Sequence, residues 1–350
     1  MATPKSRLNK PADPAKPLSG IKEVAALAGV SVGTVSNVLN RPDKVSEATR
    51  KRIEIVIEHL GFTPNRGAAA LRSGRSRIIG LLVPDMTNPF FAETARGAID
   101  AADDHGYVVT LCNSDGEEAR ERRYLEVLQE QPVAGILITP AESRPKDLER
   151  LRTQTDSQVV VLDVAADPAD YCSASVDDVL GGTLAAQHLI DAGARNLVLV
   201  NGPRTLRQCA DRRRGVRAAV RRAGNVTLTE LELAAMTTSA GAKAVTRIRD
   251  LETAPDAIFC TNDLLAIGVQ RGLTAHGVRV PADVLLMGYD DIEQAAESDI
   301  PLTSVRQPTH LLGRTATDML IRELEEGPEH RHARQVFRPE LVARESTGWR

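Results

Sequence analysis

The chain has 350 residues, too many for one compact core, and its length points to two or three domains. A 42% hydrophobic and 26% charged composition is that of an ordinary globular protein, and no apolar run is long enough to span a bilayer. The net charge of −3 hides an asymmetry: residues 1–77 carry 14 basic and 6 acidic side chains, the remainder 30 and 41. A basic head on an acidic body suits a head that meets a polyanion; a merely solubilising basic tail is the alternative.

Residues 1–19 hold Lys5, Arg7, Lys10 and Lys16 among four prolines and no apolar segment. They read as a disordered tail rather than a secretion signal. Cys112, Cys172, Cys209 and Cys260 are scattered with no CxxC pair, and the seven histidines show no metal-ligand spacing. That fits reduced thiols in the cytoplasm, with no metal and no cofactor expected.

Three short helices are expected next. Ile21, Val24, Ala25 and Ala28 share one face at helical spacing, and Gly29 ends that helix. Ser31 is a good N-cap for the second, which turns Val35, Val38 and Leu39 inward. Ser46 is expected to cap the third, with Ile53, Val56, Ile57 and Leu60 inward and Gly61 at its end. Such short helices must pack together as one small domain, set here at 20–63. The segment IKEVAALAGVSVGTVSNVLN (21–40) has a helix-turn-helix pattern: Gly29 permits the turn, Val30 plugs the interface and Ser31 opens the second helix. Val32, Gly33, Ser36 and Asn37 then face outward, where a recognition helix presents itself to the major groove. A three-helix protein-docking module would share the pattern; the charge asymmetry favours DNA.

Residues 64–77 form a basic, alanine-rich hinge or linker in which Pro64 precedes a single short helix ending near Leu71. From Ile78 to the end the texture becomes βαβ. IIGLLV (78–83), YVVTLC (107–112), GILIT (135–139), VVVLD (159–163), NLVLV (196–200), AIFCT (257–261) and VLLMGY (284–289) read as buried parallel strands, mostly separated by helical stretches. The fold class is therefore α/β: a helical head followed by doubly wound parallel sheets, better divided into two lobes than gathered in one. Ligands in such folds sit at the carboxyl ends of the strands, here between the lobes.

Residues 20–347 resemble the LacI family of repressors. The opening stretch from Ile21 through Asp85 matches nearly without gaps. NPFF (88–91), GGTLAAQHLI (181–190), RGVRAAV (214–220), TNDLLAIGV (261–269), MGYDD (287–291) and LTSVRQP (302–308) follow in the family's order. The resemblance implies a periplasmic-binding-protein-like sensor and a homodimer that binds a near-palindromic operator under control of a small, sugar-like molecule. It implies base reading by Val32, Gly33 and Asn37, and phosphate contacts at Thr34, Ser36 and Asn40; Ser31 joins them as a DNA-contact candidate. The amide of Asn37 can pair bidentately with adenine, whereas Gly33 offers no side chain, so shape and phosphate contacts carry more of the recognition. NRGAAALRS (65–73) resembles the family's hinge helix, with Leu71 at the position of the minor-groove wedge and Asn65, Ala68 and Arg72 as neighbours. A plain linker is the alternative. Gly67 and Gly20 depart from the family pattern.

For the effector, the resemblance points to Asp163, Arg212, Asn262, Asp263, Asp290 and Gln307, with Phe90 or Phe91 as an apolar wall. Arg213 and Arg214 offer alternative registers to Arg212. Carboxylates with an Arg suit hydroxyl-rich ligands, though carboxylates after strands also cap helices and Arg runs also form solvated faces. Met236 stands where several relatives place an aromatic residue. A P-loop, a GxGxxG after a strand, HExxH and GxSxG are all missing from the sequence, so no enzyme activity is expected. The lack of terminal leucine heptads makes a dimer the default.

Overall fold

The computed structural model describes residues 20–62, 76–131, 133–141, 155 and 157–348. The tail 1–19, with Ser19, and the hinge residues Pro64, Asn65, Gly67, Ala68, Leu71 and Arg72 lie outside the described residues, as does the side chain of Asn40. The chain divides into two compact units, 1–74 and 75–350.

The head comprises α1 (Ile21–Ala28), α2 (Val32–Asn40) and α3 (Glu47–Leu60). Gly29 and Gly61 end α1 and α3 in the left-handed conformation, at φ 64° and 58°, which glycine adopts without a Cβ penalty. The Thr34 backbone N–H donates to Ser31 Oγ at 3.1 Å, so Ser31 caps α2 as expected. Ser46 does not cap α3 through its side chain; its hydroxyl donates instead to Thr49 Oγ1 at 2.9 Å. Val24, Ala25, Ala28, Val35, Val38 and Ile53 form the buried centre, with Val30, Leu39, Val56, Ile57 and Leu60 packed around it.

The body alternates strands and helices: β1 (Ile78–Val83), α4 (Pro89–Asp104), β2 (Val108–Asn113), α5 (Glu118–Glu130), β3 (Gly135–Ile138), β4 (Gln158–Leu162), β5 (Cys172–Val176), α6 (Asp178–Asp191), β6 (Asn196–Asn201), α7 (Arg207–Ala223) and β7 (Thr227–Glu232). It continues with α8 (Thr238–Arg249), β8 (Ala257–Cys260), α9 (Asp263–Ala275), β9 (Leu285–Met287), α10 (Glu293–Ala296), β10 (Ser304–Arg306), α11 (Thr309–Glu326), β11 (Arg334–Phe337) and β12 (Glu340–Val342).

One lobe holds a six-stranded sheet in the order β11-β5-β4-β3-β1-β2; the other holds β7-β6-β8-β9, and β10 pairs with β12. Among the described residues both larger sheets are parallel throughout, and the β10–β12 pair is antiparallel. The chain passes between lobes three times, at Val176–Asp178, Arg306–Thr309 and Phe337–Glu340: α6 packs in the second lobe's core, α11 in the first lobe's.

YVVTLC departs from expectation. Its strand, β2, lies at a sheet edge with most residues exposed or half-buried, not buried. Its apolar run resembles a central strand because the half-buried Val109 still packs on the lobe core.

Three helix pairs are joined through glycines. A Cβ on Gly97 would strike the His310 carbonyl and one on Gly313 the Thr94 carbonyl, joining α4 to α11. Gly182 meets the Arg212 carbonyl and Gly215 the Val179 carbonyl, joining α6 to α7; Gly241 and Gly268 do the same for α8 and α9. These backbones touch directly, so no side-chain rotation can make room. Gly313→Ala is expected to destabilise the body by about 3 kcal/mol, the upper end for overpacking. Urea unfolding measures it, and a change within about 0.5 kcal/mol, typical of a surface site, would refute the close approach.

Candidate functional site

On the head, the start of α2 is the exposed face. Val32 is 39% exposed, Gly33 and Asn37 are exposed, and Thr34 and Ser36 are half-buried. The hydroxyls of Ser31 and Thr34 lie 2.9 Å apart and close the helix end. This face thus offers an aliphatic side chain, an amide and free backbone at a helix N-terminus, where the dipole favours anions.

In the body, a cavity of about 520 Å³ opens between the lobes, within the range of small-molecule sites. Pro84, Thr139, Asp163, Asn262 and Asp290 line it, each shortly beyond the carboxyl end of a strand, where doubly wound sheets place ligands. Phe90 and Phe91 enter from the start of α4, set edge to face with ring centroids 4.9 Å apart. The side chain of Asn88 caps that helix, accepting from the Phe90 backbone N–H at 3.1 Å.

Among the described lining residues Arg212 is the one cation, and it is 3% exposed. Its Nε donates to Asp178 Oδ1 at 2.8 Å and its Nη1 to the Thr261 carbonyl at 2.6 Å; Asp290 Oδ1 lies 3.6 Å from Nη1. The guanidinium stacks over the Tyr289 ring at 3.7 Å, and the Tyr289 hydroxyl donates to the same Asp178 oxygen at 2.9 Å. The register is thereby settled. Arg213 pairs with Glu230 at 2.6 Å and Arg214 with Asp211 at 3.2 Å, both on other faces of α7.

Carboxylates outnumber this one cation. Burial, followed by the charge of Asp178, raises Asp163 well above the usual carboxylate range despite Arg212. Burial also raises Asp178, against the pull of Arg212. Burial pushes Asp290 up to about 7, while Arg212 and the hydrogen bond from Gln307 hold it down. Among the described residues, buried Thr139 Oγ1 and Asp163 Oδ1 have no hydrogen-bond partner. Both residues line the cavity, and an unpaired buried polar atom there is costly unless a ligand completes it. Asp115, Asp163 and Asp290 line it at positive φ, 53°, 61° and 108°. Such backbone collects where a site is preformed.

Two of the expected effector residues do not line the cavity. Asp263 is fully buried and accepts from the Ile292 N–H at 2.9 Å and the Ser304 hydroxyl at 2.8 Å, tying α9 to β10. It is the first residue of α9, one past the N-cap Asn262, and turns into the lobe. Gln307 donates to Asp290 Oδ1 at 2.7 Å and so orients a lining residue. Asn262 both caps α9, accepting from the Leu265 N–H, and lines the cavity. Met236 also lines it, with its Sδ 3.4 Å from Cys209 Sγ.

Sequence reasoning missed Asp178, Tyr289, Thr139 and Asp115. Tyr289 stood inside the quoted MGYDD; Asp178 looks from sequence like an ordinary first-turn helix acid.

Residues 76–339 match the family described as periplasmic binding proteins and sugar binding domain of the LacI family, and residues 20–65 match the bacterial regulatory proteins of the lacI family. The ribose operon repressor of Escherichia coli (strain K12) is 34% identical over 330 residues, covering 94% of this chain and 100% of that protein. The HTH-type transcriptional repressor PurR of Aliivibrio salmonicida is 32% identical over 332 residues, covering 94% and 99%. The lac repressor dimer bound to operator and the anti-inducer ONPF matches with a TM-score of 0.85 at 25% identity, over 95% of this chain and 99% of that one.

The raised Asp290 carboxyl has a signed consequence. Its folded value lies above the roughly 3.9 of an unfolded Asp, so its contribution to stability is full below about pH 4 and is lost as pH rises through about 7. Asp290→Asn is therefore expected to gain stability relative to the parent between pH 5 and pH 8. Urea unfolding of both at each pH tests this, and a difference that stays constant would show that Asp290 does not titrate there.

Proposed function

The chain belongs to the LacI family of bacterial regulatory proteins, and on that basis we propose that it represses transcription as a homodimer on a near-palindromic operator, under control of a hydroxyl-rich small molecule held between the lobes. The observation that carries the effector assignment is the convergence of Asp163, Asp290 and Arg212 on one cavity opposite Phe90 and Phe91. Carboxylates accept from hydroxyls, the guanidinium donates, and an aromatic wall takes the apolar face of a sugar-like ring. The family's sugar-binding domain and the ribose operon repressor support a sugar or related metabolite.

The head, 20–63, reads DNA through Val32, Gly33 and Asn37, with Thr34, Ser36 and Asn40 on phosphates and Ser31 as a further DNA contact. The segment 64–77 serves as a hinge helix: Leu71 wedges into the minor groove beside Asn65, Ala68 and Arg72. The body, 78–350, senses and dimerises. Three interlobe connections let ligand binding change the lobe angle, and so the balance between DNA-competent and incompetent states. The relatives are repressors, and the effector is expected to leave unchanged rather than be turned over. The site of action is the cytoplasm, on the nucleoid.

Selection from randomised duplex DNA is expected to enrich a near-palindrome whose affinity falls steeply with salt. Enrichment of no sequence, with or without a metabolite pool, would remove the repressor reading. Asn37→Ala is expected to cost about 1–3 kcal/mol on the selected site and to relax one base position. Leu71→Ala should weaken specific binding while sparing non-specific affinity; equal losses would make 64–77 a plain linker. Asp163→Asn is expected to weaken binding of the effector found by screening about 10-fold, the value of a hydrogen bond, with operator affinity retained. Operator DNA must change effector affinity by the same factor as effector changes operator affinity. Identical effector affinity with and without DNA would break the link between the two sites.

A further inference from the structure

The edge of the six-stranded sheet, away from the interlobe cavity, gathers a second set of polar groups. Cys172 opens β5, Glu323 lies in the last two turns of α11, and His330 and His332 stand on the turn between α11 and β11. Their donor atoms all lie within 4.8 Å of one another. Cys172 Sγ is 3.2 Å from His330 Nε2, and Glu323 Oε2 is 3.9 Å from His332 Nδ1. Four ligands at zinc bond lengths sit about 3.3–3.7 Å apart in a tetrahedron. The two measured pairs, at 3.2 and 3.9 Å, already lie close to that spacing.

Two further features distinguish this cluster from ordinary side-chain packing. Glu323 Oε2 and His332 Nδ1 are buried without a hydrogen-bond partner among the described residues, an expense a cation would offset. His330 turns Nε2 toward the thiol because its Nδ1 is held by Glu326 Oε2 at 2.7 Å, the carboxylate–histidine arrangement that orients metal ligands. The Ala333 N–H also donates to Cys172 Sγ at 3.3 Å and fixes the sulfur in place.

We propose that Cys172, Glu323, His330 and His332 form a structural zinc site. A thiolate and two imidazoles select a borderline-soft ion over Mg²⁺ or Ca²⁺, which take oxygen ligands. Four protein donors fill a tetrahedron and leave no open position, as in structural rather than catalytic zinc. The ion would fasten the end of α11 and the following turn to β5. The sequence expectation of no metal rested on spacing alone.

The test uses the full-length chain without an affinity tag, stripped with a chelator and titrated with Co²⁺. Expected are one Co²⁺ per chain, tetrahedral visible bands and a near-ultraviolet thiolate-to-metal band, all bleached by Zn²⁺. Cys172→Ser should abolish the thiolate band, whereas Cys112→Ser should keep it. Glu326→Gln, which acts only through His330, should weaken Co²⁺ binding about 10- to 100-fold. No thiolate band in the parent chain overturns the site. So does a band that survives Cys172→Ser, or unchanged affinity in His332→Gln.

Discussion

The contact on which the effector site depends is the backbone-to-backbone approach of α6 and α7. Gly182 lets the carbonyl of Arg212 sit against its Cα, and Gly215 returns the contact to Val179. Gly181 leaves room for the Tyr289 hydroxyl. With any side chain at these places the two helices would stand apart, and the Arg212 guanidinium would not reach Asp178 and the Thr261 carbonyl together. That guanidinium is almost fully desolvated, so it must be fully paired to remain there. Asp178, Tyr289, Thr261 and Asp290 supply the partners. A buried ion group of this kind is weak evidence of stability. Its consequence is positional: one cation is fixed at one place in the cavity wall, and the carboxylates of Asp163 and Asp290 are set against it.

The same residues explain why the cavity is poised rather than satisfied. One guanidinium faces several buried carboxyls, and burial raises Asp163, Asp178 and Asp290 together. A ligand bearing hydroxyl donors relieves this imbalance, because it gives the unpaired oxygen of Asp163 a proton to accept. Asp263, by contrast, is satisfied by Ile292 and Ser304 and asks nothing of a ligand. Of these two aspartates, Asp163 alone presents an unpaired buried oxygen beside the cavity.

Much of this was legible in the sequence, for identifiable reasons. IIGLLV gave β1 residue for residue, because a central strand buried on both faces needs an unbroken apolar run. β5 was not legible. CSASV is wholly buried yet carries two serines, one of which accepts from the Ala166 N–H at 3.1 Å. β7, TLTELE, is an edge strand with two leucines among four polar residues and carries no buried run. In the head, Ser31 and Gly29 were readable because caps are local chemistry. The choice among Arg212, Arg213 and Arg214 was not local. It depends on which face of α7 meets α6, and only the glycines on both helices decide that. Cys172 is far in sequence from Glu323, His330 and His332, and spacing rules see only ligands that are close together.

The topology gives the metal cluster and the cavity a shared neighbour. β5 runs from Cys172 into the first interlobe connection at Val176–Asp178, and Asp178 is the carboxylate that holds Arg212. β11 begins two residues after His332, pairs with β5 and runs into the third connection at Phe337–Glu340. An ion joining α11, the turn and β5 would therefore fix the roots of two of the three connections. Lobe rotation would then be borne by the short segments beyond Val176 and Phe337, with the sheet edge behind them held still. A hinge works only if what lies on each side of it is stiff. An edge strand such as β11, paired on one side alone, is where a sheet is least stiff without such a tie.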